Sequence, residues 1–128
     1  MKLPSILAAA LVLAALAPRA QAHHSFGVFD TSKTVTLQGT VYRFQWTNPH
    51  SWLWLSVAQA SGPAKIWGIE TGSPTMLLRR GLVRETFQPG DKVAVDIHPL
   101  RDGRTGGNFI RATFPDGHSV AVIVAKEK

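Results

Sequence analysis

Two consecutive histidines, His23 and His24, directly follow the small-residue triplet "AQA" at residues 20–22. A neutral imidazole is a common metal ligand. A histidine that is the first residue of a chain can also chelate an ion through its α-amine and its own Nδ1, once both have lost their protons. The metal-binding chemistry of His23 therefore depends on whether the chain before it is removed.

The first 22 residues have the pattern of a secretory signal peptide. Lys2 supplies the positive n-region, "ILAAALVLAALA" the apolar region, and "AQA" a small-x-small cleavage site. The apolar run breaks at Pro18, before it reaches the roughly 20 residues that a membrane-spanning helix needs. We predict cleavage after Ala22, a periplasmic or secreted location, and a mature domain over residues 23–128 with no membrane span.

The composition limits the size of this domain and the kind of partner it binds. Residues 23–128 suffice for one small core and no second domain. The formal charge of +6 falls to +4 without Lys2 and Arg19, and the remaining charges are interspersed, so nucleic acid is not the expected partner. The chain has no cysteine, which excludes disulfides and thiolate metal sites and leaves histidine, carboxylate or backbone ligands.

Alternating apolar residues predict strands over residues 34–46, 51–57, 65–70, 92–98, 108–114 and 119–125. In the first strand the apolar face shifts from Val41 and its alternating neighbours to Tyr42, Phe44 and Trp46. This shift predicts a bulge or sharp bend between Gly39 and Tyr42.

One short helix interrupts the strands. Ser73 suits its N-cap, Pro74 its first position, and Gly81 the residue just past its end. Three strands, a helix and two or three further strands match the element order of the OB-fold, a small, partly open barrel. We therefore predict an all-β domain with one short helix, folded as an OB-like barrel of five or six strands.

The predicted barrel brings two more histidines to one rim. His50 lies in the loop between the first two strands and His98 ends the fourth, next to the loop into the fifth; these two loops line the ligand face of an OB-fold. Together with His23 and His24 they would form a nitrogen-rich site, which favours copper, with zinc as the second choice. We predict a copper site in a carrier or accessory role.

Each of these histidines also has a purely structural interpretation. His23 and His24 could form a solvated chain end. His50 could brace the turn after Pro49, and His98 could be a hydrogen-bonding group at a strand end.

The tryptophans support a different hypothesis, in which no metal is bound. Trp52 and Trp54 share a strand face opposite the leucines and could form a stacking platform. With Asn48, Arg101 and Asp102 in the rim loops, they would make a binding module for a small molecule, a glycan or a periplasmic partner protein. The same indoles could instead cover the outside of the barrel, and a purely structural protein is a third option.

Catalysis is not predicted. The sequence contains no nucleophile motif, phosphate-binding loop or dinucleotide fingerprint. Glu70, Asp96 and Asp102 are the carboxylates near the predicted rim, and their spacing has no glycosidase signature.

Several strings of the mature chain resemble one uncharacterised family of small exported bacterial proteins, domain of unknown function 6152. They are "AHHSF", "FQWTNPHSWLWL", "SPTMLLRRG", "PGDKV", "HPLRDG" and "PDG", and they extend over essentially the whole mature chain. The resemblance implies no established activity. It marks as motif positions His23, His24, Asn48, Pro49, His50, Arg79, Arg80, Gly81, His98, Pro99, Arg101, Asp102 and Gly103.

Overall fold

A computed structural model describes residues 26–122 of the chain. The predicted signal peptide, its cleavage site, His23 and His24 lie outside the described residues, as do residues 123–128. Across the described part, no helix has the length and apolar character needed to cross a membrane.

Six strands and one α-helix follow a short 3-10 helix at Phe26–Val28. The strands are β1 Val35–Gln45, β2 Trp52–Val57, β3 Lys65–Glu70, β4 Lys92–Pro99, β5 Gly106–Thr113 and β6 Ser119–Ala121, and the helix α1 is Pro74–Arg79. The mostly β content and the single short helix are confirmed. β6 is shorter than predicted within the described residues.

The strands close into a five-stranded barrel with β6 as an additional strand. The sheet order is β3-β2-β1-β4-β5-β6, and a parallel pairing of β3 with β5 closes it. This arrangement fits the predicted OB-like barrel. Gly107 pairs with Ile69 across this closure and with Pro99 of β4. A Cβ atom at Gly107 would approach the His98 carbonyl oxygen to 2.6 Å, so the spacing of β5 on β4 requires glycine here.

The core fills the inside of the barrel with the inward side chains of alternating residues. Val93, Val95 and Ile97 of β4 are buried as the alternation predicts, and so are Leu53 and Leu55 of β2. Burying each of these side chains stabilises the fold by about 1.5–3 kcal/mol. The residues between them consequently face outward, and on β2 and β4 these include the tryptophans and His98.

The predicted bulge in β1 occurs at Tyr42. The register of β1 on β2 shifts between Val41 and Arg43, so that buried Val41 and partly buried Phe44 both face the core. The prediction that Tyr42 itself joins the apolar face is wrong, because the bulge turns its side chain outward and leaves it 63% exposed.

The helix begins and ends at the predicted residues. The Ser73 hydroxyl accepts a hydrogen bond from the Met76 amide at 3.3 Å, and Pro74 follows the cap. At the other end the Leu82 amide donates to the Leu77 carbonyl at 3.0 Å, with Gly81 at a φ of +79°. This is a Schellman motif, and the buried pair Leu77 and Leu82 fastens it to the core.

Candidate functional site

His50 is held in the β1–β2 loop by its backbone and by its ring. The loop contains a cis Asn48–Pro49 peptide, and the Thr47 hydroxyl donates to the His50 carbonyl at 2.9 Å. The His50 Nδ1 lies 2.5 Å from the Glu70 Oε1, with the two side chains 31% and 19% exposed. Glu70 ends β3, so a carboxylate from a distant strand fixes the imidazole on the outer surface of the barrel.

His98 is held in the same manner on β4. Its Nδ1 lies 2.8 Å from the Lys33 carbonyl oxygen in the segment before β1. In the sheet register, Asn108 of β5 is the partner of both His98 and Glu70. Glu70, Asn108 and His98 therefore form one row across three strands, with about 10 Å between the outer two Cα atoms.

The segment that follows His23 and His24 is bound to the β4–β5 loop. The Asp30 amide donates to the Pro99 carbonyl at 2.8 Å, and the Arg101 amide donates to the Val28 carbonyl at 2.9 Å. The Arg101 Nε donates to the Gly27 carbonyl at 3.0 Å, and Phe29 forms an antiparallel bridge with Leu100. The described chain thus enters the barrel along the rim next to His98.

Asp30 stabilises the turn in this segment. Its carboxylate accepts from the Ser32 hydroxyl at 2.6 Å and pairs with Lys33 at 3.1 Å. The Ser32 hydroxyl, followed by Lys33, holds the pKa of the Asp30 carboxyl at about 2. This turn positions the Lys33 carbonyl that contacts His98.

The predicted ligand residues of the rim loops make contacts with neighbouring parts of the chain. Arg101 binds the N-terminal segment, as described above, and Asp102 accepts from the Arg104 Nε at 2.8 Å. Hydrogen bonds from the Arg104 backbone and side chain lower the pKa of the Asp102 carboxyl. Asn48 is exposed at the cis peptide.

Trp52 and Trp54 lie next to the His50–Glu70 pair on the outer face of β2. Their rings stack with a centroid distance of 5.9 Å and an interplanar angle of 24°. The Trp54 Nε1 donates to the Gln45 Oε1 at 3.3 Å, and the ring lies over Gly68 of β3, where a Cβ would meet it at 3.0 Å. Both indoles are partly buried, so each keeps some surface accessible to a ligand.

The described residues bring His50 and His98 onto one face of the barrel but include no group of three or more His, Asp or Glu residues arranged to hold a metal ion. Sequence reasoning placed Glu70 near the rim without recognising it as the partner of His50. It also missed the Lys33 carbonyl and Asn108. For Glu70, the available signal was its position at the rim, at the end of an alternating strand.

Comparison with known proteins identifies one family. No curated protein and no solved structure matches the chain. The model of a family of unknown function, DUF6152, matches residues 10–122, a range that includes every residue the structure describes. The chain therefore belongs to the DUF6152 family.

Proposed function

We propose that this protein is exported and binds a metal ion, copper as the first choice and zinc as the second, in a carrier or accessory role. The observation that carries the proposal is the matched anchoring of two rim imidazoles through Nδ1, at 2.5 Å to Glu70 and 2.8 Å to Lys33. Export and cleavage after Ala22 remain the prediction from the signal-peptide pattern.

The chemistry of the two acceptors supports Nε2 as the ligand atom. A carbonyl oxygen and an ionised carboxylate only accept hydrogen bonds, so Nδ1 must donate at both residues. In the neutral imidazole the lone pair then belongs to Nε2. Metal-binding histidines typically donate their other ring N–H to a carboxylate or a backbone carbonyl, as His50 and His98 do.

Chain length supports His23 as a further ligand. The Gly27 carbonyl is bound to Arg101, in the loop that follows His98. The chain from His23 to Gly27 can extend at most about 14 Å, a length over which a mature terminus could reach groups on this rim. The terminal amine and the Nδ1 of His23, with the amide or ring of His24, supply the remaining nitrogen donors.

The nature of the donors favours copper. Nitrogen ligands in tetragonal geometry are typical of Cu(II), which also binds most tightly among the divalent first-row metals. Zinc takes imidazole nitrogens as well and prefers tetrahedral sites.

Copper titration with a defined amino terminus tests the proposal. Protein exported with its native signal is checked by intact mass for a His23 terminus and then titrated with Cu(II), with electron paramagnetic resonance as the readout. We expect several-nitrogen coordination that is lost when one glycine precedes His23. An unchanged spectrum in the extended protein, or no binding at micromolar copper, would contradict the proposal.

A peptide of residues 23–30 is the control for binding without a fold. The amine, the following amide and His24 can chelate copper in a free peptide. We expect the folded protein to bind more tightly than this peptide and to give a different spectrum, because His50 and His98 belong to the barrel. Identical spectra and affinities would show that the amino-terminal residues alone bind the copper and that His50 and His98 contribute no ligand.

A second candidate function is a binding module for a small molecule or glycan, and the stacked indoles favour it. Trp52 and Trp54 present a stepped aromatic surface, and the amide of Gln45 and the carboxylate of Glu70 lie beside it. Flat apolar faces with polar groups at their edges suit ligands that stack and hydrogen-bond together.

Tryptophan emission tests this module. Candidate neutral oligosaccharides should quench the emission, and Trp52→Ala should abolish the quenching because it removes half of the stack. Trp67→Phe is the matched control, since the side chain of Trp67 packs against the core rather than on this face. Quenching that persists in Trp52→Ala, or its absence in the unaltered protein, would exclude the platform.

A further inference from the structure

A groove crosses the outer surface of β1, β4 and β5, away from the histidine rim. Its volume is about 510 Å³, within the range of small-molecule sites. Lys92 begins β4 and His98 is near its end, about 20 Å apart at about 3.3 Å per residue. The groove is therefore separate from the candidate metal site.

Small outward residues form the floor of the groove. Ala94 lies at the centre, with Gln38 of β1 and Thr113 of β5 as its register partners. Alanine at this position leaves room that a longer side chain would fill. The β2–β3 connection, through Ala58, and the β5–β6 hairpin, through Pro115, line the groove as well.

The hairpin wall is held rigid by ring stacking. Phe114 stacks on Phe87 at a centroid distance of 5.7 Å and on His118 at 4.3 Å. Phe114 lines the groove, so these two ring contacts restrain the side chain that forms its wall. A wall fixed in this way gives a preformed site, which lowers the entropic cost of binding.

The groove is electrostatically suited to a single negative charge. Among the described residues that line it, Lys92 is the only charged one. The Lys92 Nζ donates to the Thr40 Oγ1 at 2.6 Å, and within residues 26–122 it makes no ion pair, so its ammonium keeps donors for a ligand. The hydroxyls of Thr40 and Ser56 offer further hydrogen bonds nearby.

The carboxylates in the neighbourhood already have partners. Asp96 accepts from Thr36 and Arg111, each at 2.6 Å, and Asp116 pairs with His118. Asp91 accepts from the Gln88 amide at 2.8 Å. Within residues 26–122, none of these carboxylates forms an ion pair with Lys92.

We propose that this groove binds a small amphipathic monocarboxylate, with its carboxylate at Lys92 and Thr40 and its apolar body against Ala94, Phe114 and Pro115. One ammonium matches one negative charge, which favours a carboxylate over a phosphate dianion. The apolar wall requires a hydrocarbon or aromatic body, as in a short fatty acid or an aryl alkanoate. This site is independent of metal binding at the rim.

A charge-matched ligand pair provides the test. The unaltered protein is titrated with 3-phenylpropionate and, separately, with its neutral amide, while ¹H–¹⁵N spectra are recorded. We expect shifts at Lys92, Ala94 and Thr113, and about tenfold tighter binding of the carboxylate, the size of one charged hydrogen bond.

Variants separate the groove from general surface charge. Lys92→Gln should bring the carboxylate to the affinity of the amide, and Ala94→Leu should block both ligands by filling the floor. Lys33→Gln removes a lysine charge from the segment before β1, outside the groove, and should leave the affinity for both groove ligands unchanged. Equal affinities for acid and amide, shifts located elsewhere, or an equal loss in Lys33→Gln would overturn the proposal.

Discussion

The rim of the barrel and the β5–β6 hairpin both present a histidine whose Nδ1 contacts an oxygen, yet the two arrangements differ in origin. His50 and His98 contact Glu70 and the Lys33 carbonyl, which belong to other elements of the fold. His118 contacts Asp116, two residues earlier in the same turn, at 2.5 Å. The hairpin contact is local turn chemistry. The rim contacts need the folded barrel and orient the rings on it.

The second difference is in the surroundings of the imidazole rings. The His118 ring stacks on Phe114 at an interplanar angle of 7°, so it packs against an aromatic neighbour. The rim imidazoles share a face with Glu70 and Asn108, and their Nδ1 atoms contact groups of other elements. Local packing and turn contacts therefore account for His118, whereas His50 and His98 are the residues that the proposal assigns to the metal.

The largest expected effect is on copper affinity. His50→Ala and His98→Ala should each weaken Cu(II) binding by about a hundredfold, because each removes a ligand nitrogen. Loss of a group that only hydrogen-bonds to a ligand already lowers metal affinity by about 10–100-fold. Isothermal titration against a competing chelator measures it. His118→Ala is the matched control, and a similar loss in that variant would remove the distinction between the regions.

A smaller effect is expected from the carboxylate behind His50. Glu70→Gln keeps the size of the side chain but removes the charge that supports the ligand, and should weaken copper binding by about tenfold. Asp116→Asn makes the same change behind His118 and should leave the affinity unaltered. If both substitutions act alike, the Glu70 contact is structural only.

The hairpin histidine should affect stability instead. His118→Ala should lower the free energy of unfolding by about 1 kcal/mol, the value of a stacked ring pair. Urea denaturation measures the change, and His118→Phe should restore most of it by stacking alone. No loss in the alanine variant would mean that the stacking on Phe114 contributes nothing.

The smallest effects concern two aspartates that anchor these regions. The pKa of Asp30 is about 2, held down first by the Ser32 hydroxyl, and hydrogen bonds from His118 lower the pKa of Asp116. Since a lowered pKa favours the ionised fold, each carboxylate stabilises the protein above about pH 4 and loses that contribution below it.

Carboxyl ¹³C titrations separate the two anchors. Ser32→Ala should raise the pKa of Asp30 toward 3.8 and leave that of Asp116 unchanged. His118→Ala should raise the pKa of Asp116 and leave that of Asp30 unchanged. A coupled movement of both values would show that the rim and the hairpin are not independent.

Local patterns predicted most of the fold. The alternation in β4, the Ser73 cap and the Gly81 terminus depend on neighbouring residues and are therefore visible in the sequence. The parallel β3–β5 closure is not, because it pairs Gly68 with Gly106 across the helix and β4, which separate the two strands in the chain. Tyr42 was assigned to the wrong face because an alternating pattern cannot show which residue becomes the bulge.

The candidate site was predictable as a set of loops but not as a set of contacts. The OB-like order placed His50 and His98 on one rim, since loop positions follow from topology. Their acceptors depend on strand register and on the path of the segment before β1. Glu70 was placed near the rim by the sequence, but its pairing with His50 and the contact of the Lys33 carbonyl with His98 emerged only from the structure.

The most direct test of the central claim is a long-range ¹H–¹⁵N spectrum of the imidazoles in the mature protein before and after Zn(II), a diamagnetic substitute for copper. We expect the Nδ1–H tautomer at His50 and His98, and we expect zinc to shift their Nε2 resonances and the Nδ1 resonance of His23 while those of His118 stay in place. Nε2–H tautomers at the rim, or zinc shifts confined to the chain terminus, would contradict it.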